Sequence, residues 1–280
     1  MEYLTLNNGV KMPLIGFGTF QITDKEECER SIVSAIGAGY RLIDTAQAYG
    51  NEEFVGNAIK KCGVARDELF ITTKLWFRNH EKADAEKSLD ESLKKLQLDY
   101  IDMVLLHWPY GNVYEALRTL ESFCESGKIR AVGISNFDAD RMIDLITFNK
   151  IKPCLNQIET HLFCQRKIES VWLKKYGIAH QAYAPLGQGR ANEMFENDIV
   201  KEIAAGHGKT PAQVALRFLI QNGISVIPKS VHAGRIKENI DVFDFVLTDE
   251  EMTALSELDT AKPMIGSAES PETTEFAMTW

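Results

Sequence analysis

Two hydrophobic periods alternate along the chain. Short runs of mostly apolar or β-branched residues recur at 14–18, 41–44, 69–74, 101–107, 131–135, 153–157, 178–183 and 225–229, and their length and composition predict buried strands. Between them lie longer stretches with apolar residues three and four apart. In Lys82–Leu96, Ala85, Leu89, Leu93 and Leu96 stand against charged neighbours, and Pro211–Gln221 opens on Thr210-Pro211, a cap followed by a first-turn proline. A hairpin is predicted ahead of the series, because residues 3–6 and 10–14 flank Asn7-Asn8-Gly9, the residue types that turn between paired strands.

Eight strand-then-helix units with no Pro/Gly/Ser linker or abrupt charge shift predict an α/β fold. The expected form is one (β/α)8 TIM barrel over residues 1–280, with an N-terminal β-hairpin and a C-terminal tail from 262 to 280 over the barrel mouth. A doubly wound open sheet is the competing architecture. Its dinucleotide fingerprint needs a third spaced glycine that Gly16-Phe17-Gly18 lacks.

Composition narrows the partners. A formal net charge of −9 disfavours a surface for polyanions, so nucleic acid is not expected. Residues 1–6 form neither a basic leader nor a signal-length apolar stretch, and no apolar run approaches the ~20 residues that cross a bilayer. A cytoplasmic protein without a membrane partner is expected, as a monomer. Five cysteines with no CxxC pair suggest reduced thiols and no metal site, and Cys164 reads as a packing residue.

In such a barrel chemistry sits where the strands end. The second run stops at Asp44, followed by Tyr49; the third stops at Lys74, the fourth at His107. Each alone has an ordinary reading, as a cap, a loop anchor, a solvated strand end or a rim histidine. At three successive strand ends, a carboxylate, a phenol, an ammonium and an imidazole make a catalytic constellation the stronger hypothesis.

The same residues carry a family resemblance. Leu42-Ile43-Asp44-Thr45-Ala46-Gln47-Ala48-Tyr49-Gly50-Asn51-Glu52, Thr73-Lys74-Leu75-Trp76 and Leu105-Leu106-His107-Trp108-Pro109 resemble three motifs of the aldo-keto reductases, and the resemblance runs from Gly16 to Asn239. It implies NADPH-dependent reduction of aldehydes and ketones. Tyr49 would be the proton donor, Lys74 would lower its pKa, Asp44 would pair with Lys74, and His107 would orient the carbonyl. The chemistry is consistent: hydride arriving at carbon charges the oxygen, which needs donors and then a proton. A free phenol titrates near about 10, and a neighbouring ammonium favours its ionised form.

Later strand ends resemble the family's nicotinamide site. There Ser135, Asn136 and Gln157 would bond the carboxamide and Tyr183 would stack on the ring, with Thr19, Asp44 and Leu186 as further cofactor contacts. Turn chemistry and core packing are the plain alternatives. After the eighth run, Lys229, Ser230 and Arg235 gather at a predicted helix start, where free N–H groups favour an anion. By resemblance they surround the 2′-phosphate of NADPH, and Glu238 and Asn239 meet adenine.

Phe20, Trp76, His107 and Trp108 are the expected substrate pocket, with Phe20 where many relatives carry tryptophan. The connection 109–114 is shorter than in many relatives, which implies an open mouth and breadth over small aldehydes, dicarbonyls or keto-sugars. The tail either covers that mouth or touches nothing. Two other functions compete: a nucleotide-binding regulatory or structural subunit, and an aldolase or isomerase with Lys74 as a Schiff-base nucleophile.

Overall fold

Hydrogen bonding places the predicted runs side by side in sequence order. A computed structural model describes residues 2–265 and 270–279; the remainder of the expected tail, 266–269 and 280, lies outside the described residues. The hairpin pairs β1 (Tyr3–Thr5) antiparallel with β2 (Lys11–Pro13), Leu4 opposite Met12. Eight parallel strands follow: β3 (Gly16–Gly18), β4 (Leu42–Asp44), β5 (Phe70–Leu75), β6 (Ile101–Leu106), β7 (Ile129–Ser135), β8 (Leu155–Glu159), β9 (Ala179–Tyr183) and β10 (Ser225–Val226). The sheet closes on itself through a parallel bridge between Ile15 and Val226, so the fold is the (β/α)8 barrel and not an open sheet.

The last strand is shorter than its apolar run. Pro228 has no N–H to give the ladder, and pairing fades after Val226. The segment still reaches both neighbours, with Ile227 N donating to Ala182 O at 3.1 Å and Pro228 O accepting from Gly18 N at 3.1 Å.

The two-residue period of the strands sorts side chains into two cores. Outward residues such as Ile43, Ile71, Val104, Val132 and Val226 join the helices in a large buried cluster. Inward residues Leu42, Phe70, Met103, Leu105, Ala131, Leu155 and Ile227 fill the barrel floor, and Leu6 and Met12 of the hairpin plug it from below. Space there is tight. A Cβ on Gly16 would lie 2.2 Å from Leu42 Cδ2. Two or four residues further toward the carboxyl ends, the same inward rows turn polar: Asp44, Lys74, Ser135, Gln157 and Gln181.

The outer helices keep their sequence boundaries. Lys82–Leu96 buries Ala85, Leu89, Leu93 and Leu96, and Pro211–Gln221 is started by a capping box between Thr210 and Gln213. Among the described residues no helix is long and apolar enough to cross a membrane, and all five cysteines are free thiols.

Candidate active site

The inward rows bring Asp44 and Lys74 face to face across β4 and β5. Lys74 is completely buried, and its Nζ donates to Asp44 Oδ1 at 2.5 Å, Thr45 O at 3.0 Å and the Tyr49 hydroxyl oxygen at 3.1 Å. Tyr49 ends a single 3-10 turn, Gln47–Tyr49, which folds back over the barrel mouth. Its oxygen accepts from the ammonium, so its own proton is free to point elsewhere. The other Asp44 oxygen accepts from Gln157 Nε2 at 2.8 Å. His107 follows β6, and its ring centre lies 5.7 Å from that of Tyr49.

Burial and charge compete at each group. Burial opposes the Lys74 charge, yet Asp44 and Tyr49 outweigh it and hold the ammonium above its ordinary range. Burial raises the Tyr49 phenol; Lys74 draws it down and Asp44 pushes it up, with a net rise. The expected influence of Lys74 is present, but desolvation exceeds it because the phenolate would leave water altogether. Tyr49 is therefore a neutral phenol at neutral pH. His107 is driven well below its ordinary range, by burial first and then by Lys74 and His80. It is a neutral imidazole whose buried Nδ1 meets no hydrogen-bond partner among the described residues.

Beside the quartet lies a second linked set. Tyr183 donates from its hydroxyl to Asn136 Oδ1 at 2.9 Å, and Asn136 Nδ2 donates to His107 O at 3.0 Å and Ser135 Oγ at 3.3 Å. Ser135 Oγ in turn donates to Gln157 O at 2.8 Å. Leu186 is half-buried in the loop that follows Tyr183. Thr19 is fully buried, and both its N and Oγ1 donate to Asp44 O.

The basic segment meets this set from the other side of β3. A Cβ on Gly18 would lie 3.0 Å from Ile227 O and 3.7 Å from Lys229 Cβ. Lys229 and Arg235 are exposed, and neither has an ion-pair partner among the described residues. Ser230 is buried and accepts from His232 N at 3.2 Å. The helix Ala233–Ile240 then begins with no side-chain cap, leaving first-turn N–H groups open to an anion. Glu238 Oε1 accepts from Thr210 Oγ1 at 2.8 Å, and Asn239 is buried.

Aromatic rings wall the mouth. Phe20 packs 4.9 Å from Tyr49, Trp76 lies 5.2 Å from His107, and Trp108 stacks on Tyr110 at 5.5 Å. The tail is not a loose end. Its helix Pro271–Ala277 reaches this wall, with Thr274 Oγ1 3.1 Å from the Tyr110 hydroxyl and Met278 O accepting from Arg78 Nη2 at 2.5 Å. Cys164 is buried, and burial pushes its thiol up to about 11 although Arg166 draws it down.

Two residues here escaped the sequence reading. Gln181 links Gln157 (2.8 Å) to Ser225 (3.0 Å) at the barrel centre; the parity of β9 could have found it. Asn51 stands at a helix start yet caps nothing. It accepts from Thr45 Oγ1 at 2.7 Å and donates to Thr19 O and Ile22 O at 2.9 and 3.2 Å, stapling the loops that carry Phe20 and Tyr49.

Comparison with known proteins gives this geometry relatives. The family described as "Aldo/keto reductase family" matches residues 14–260. A glyoxal reductase of Bacillus subtilis is 43% identical over 258 residues, 92% of each chain. Among solved structures, an aldo-keto reductase from a Medee basin deep-sea metagenome library superposes with a TM-score of 0.93 at 40% identity, over 96% of this chain and 99% of that one. A Bombyx mori aldo-keto reductase in complex with NADP superposes with a TM-score of 0.90 at 34% identity, over 95% of each chain.

Proposed function

The chain belongs to the aldo/keto reductase family, as an NADP-dependent oxidoreductase of carbonyl compounds, and on that premise we propose that it reduces small aldehydes and dicarbonyls with Tyr49 as the proton donor. One observation carries the reading: Lys74 is completely buried, bonded at once to Asp44 and to the Tyr49 oxygen, under aromatic walls.

The residues fit the cofactor. Ser135, Asn136 and Gln157 offer the amide and hydroxyl groups a carboxamide pairs with, Tyr183 offers a half-buried ring, and Lys229, Ser230 and Arg235 offer cations and open N–H groups for a phosphate. Thr19 and Leu186 would complete the contacts, with Glu238 and Asn239 toward the adenine end. Bound NADPH supplies a hydride to the carbonyl carbon.

Every other demand falls on the chain. His107, neutral and buried, donates to the carbonyl oxygen and fixes its direction toward Tyr49. Tyr49 gives its proton to that oxygen as charge develops. The phenolate left behind lies 3.1 Å from the Lys74 ammonium, which stabilises it until a proton returns. Asp44 keeps that ammonium charged, since burying it unpaired would cost several kcal/mol. Phe20, Trp76 and Trp108 bind the carbon skeleton and exclude water. Glyoxal reduction by a relative 43% identical supports small dicarbonyls as the class.

The test is NADPH and NADH oxidation by the full chain against a panel of glyoxals, aldehydes, ketones and keto-sugars. NADPH-dependent turnover across several aldehydes and dicarbonyls is expected. No turnover on any of them would refute the reading.

A further inference from the structure

Glu159 is the last residue of β8, and its carboxylate is completely buried. None of the proposed chemistry uses it. A buried carboxylate must be held by donors, and here most come from far along the chain. Its Oε1 accepts from Met264 N at 2.5 Å and Ile265 N at 3.2 Å, its Oε2 from Ile265 N at 3.2 Å, and His161 Nε2 stands 3.0 Å from Oε1. Two consecutive backbone N–H groups of the tail are thus clamped to the end of a barrel strand.

What Met264 touches gives the clamp its consequence. Its carbonyl accepts from Arg190 Nη1 at 3.4 Å, and its Sδ would lie 3.0 Å from a Cβ placed on Gly187. Gly187 and Arg190 belong to the loop after β9 that carries Leu186. Among the described residues that loop makes only two turns within itself, Gly187 N to Ala184 O and Arg190 N to Gly187 O, both at 2.9 Å, with Ala184, Gly187, Gln188 and Gly189 all at positive φ. Its position depends on neighbours.

We propose that Glu159 is a positioning residue that tethers the tail at Met264–Ile265, and that the tethered tail holds loop 184–190 closed over bound cofactor. The inference rests on the reading of Leu186 as a cofactor contact. Cofactor release, not hydride transfer, is the step it governs.

The test uses the full chain, Glu159→Gln, a chain ending at residue 262, and the two changes combined. NADPH affinity and its release rate are measured by fluorescence without a carbonyl substrate, and tail cleavage by limited proteolysis without cofactor. Glutamine replaces one of the two accepting oxygens by an NH2 donor that faces backbone N–H groups, so Glu159→Gln should weaken NADPH about tenfold through faster release and expose the tail to protease. The shortened chain should lose as much, and the combined variant no more than either. Additive losses, or unchanged release in the shortened chain, would overturn the tether. Should Glu159→Gln fail to fold, the shortened chain alone decides. If the full chain binds no NADPH, it is the cofactor reading that fails; if NADPH binds but carbonyls are not reduced, the substrate reading fails and the tether stands or falls separately.

Discussion

Lys74 Nζ lies 3.1 Å from the Tyr49 hydroxyl oxygen and 4.7 Å from the centre of its ring. In the proposed mechanism both contacts stabilise the phenolate that proton donation leaves. Lys74→Met should therefore lower kcat/KM by roughly 10²- to 10⁴-fold, the usual scale of general acid catalysis, while NADPH affinity changes little. Because Asp44 keeps the ammonium charged, it is a poor carbon nucleophile, and borohydride with substrate and no nicotinamide should trap no adduct. A trapped adduct on Lys74 would restore the Schiff-base reading.

On the proposed reading, cofactor choice follows from two exposed cations, Lys229 and Arg235. Replacing Lys229 and Arg235 together by alanine removes charge-assisted bonds worth about 1.5–3 kcal/mol each. The NADPH dissociation constant should rise by tenfold or more and that of NADH stay within about twofold. Titrating both cofactors into the double variant checks it, and equal losses would show that the segment does not read the 2′-phosphate.

The tail helix Pro271–Ala277 leans on Tyr110 and Arg78 at the mouth. A chain ending at residue 270 keeps the Glu159 contacts and removes only this cover. Relative kcat/KM values across the aldehyde panel should shift toward bulkier substrates, with NADPH affinity intact. Preference by the full chain for one substrate over all others by more than about a thousandfold, roughly 4 kcal/mol, would contradict the open pocket.

Two buried histidines besides His107 make stability depend on pH. Burial lowers His180 from 6.5 to about 3, with Arg166 adding to it, and lowers His80 to about 4 against the pull of the Tyr110 carbonyl. Both pKa values are depressed on folding, so the unfolded chain takes up protons that the fold refuses. Stability is complete above about 6.5 and declines as pH falls toward the folded values, by about 2 kcal/mol per histidine at pH 5. Thermal unfolding should show Tm dropping between pH 7 and 5, and His180→Gln should reduce the slope. A Tm flat over that window would exclude the mechanism.

The barrel was legible because strand and helix periods differ, and the quartet because Asp44, Lys74 and His107 stand at or beside strand ends and Tyr49 follows the first of them. Pro228 shortened the last strand for a reason visible in the chain, yet the apolar run concealed it. Gln181 and Asn51 were harder: one needs the inward parity of β9, the other a contact with residues 19–22, about 30 positions away. The net rise of the Tyr49 pKa could not be read at all, since it depends on how completely folding excludes water from the phenol. The same holds for Glu159, whose backbone partners in the tail lie more than 100 residues away.

The most direct measurement is single-turnover reduction of a dicarbonyl or aldehyde by Tyr49→Phe, with NADPH binding measured on the same sample. The phenylalanine keeps the ring that packs on Phe20 and loses only the hydroxyl beside Lys74. Hydride transfer should slow by at least about 10²- to 10⁴-fold while NADPH affinity stays near that of the unchanged chain. Turnover undiminished by the substitution would contradict Tyr49 as the proton donor.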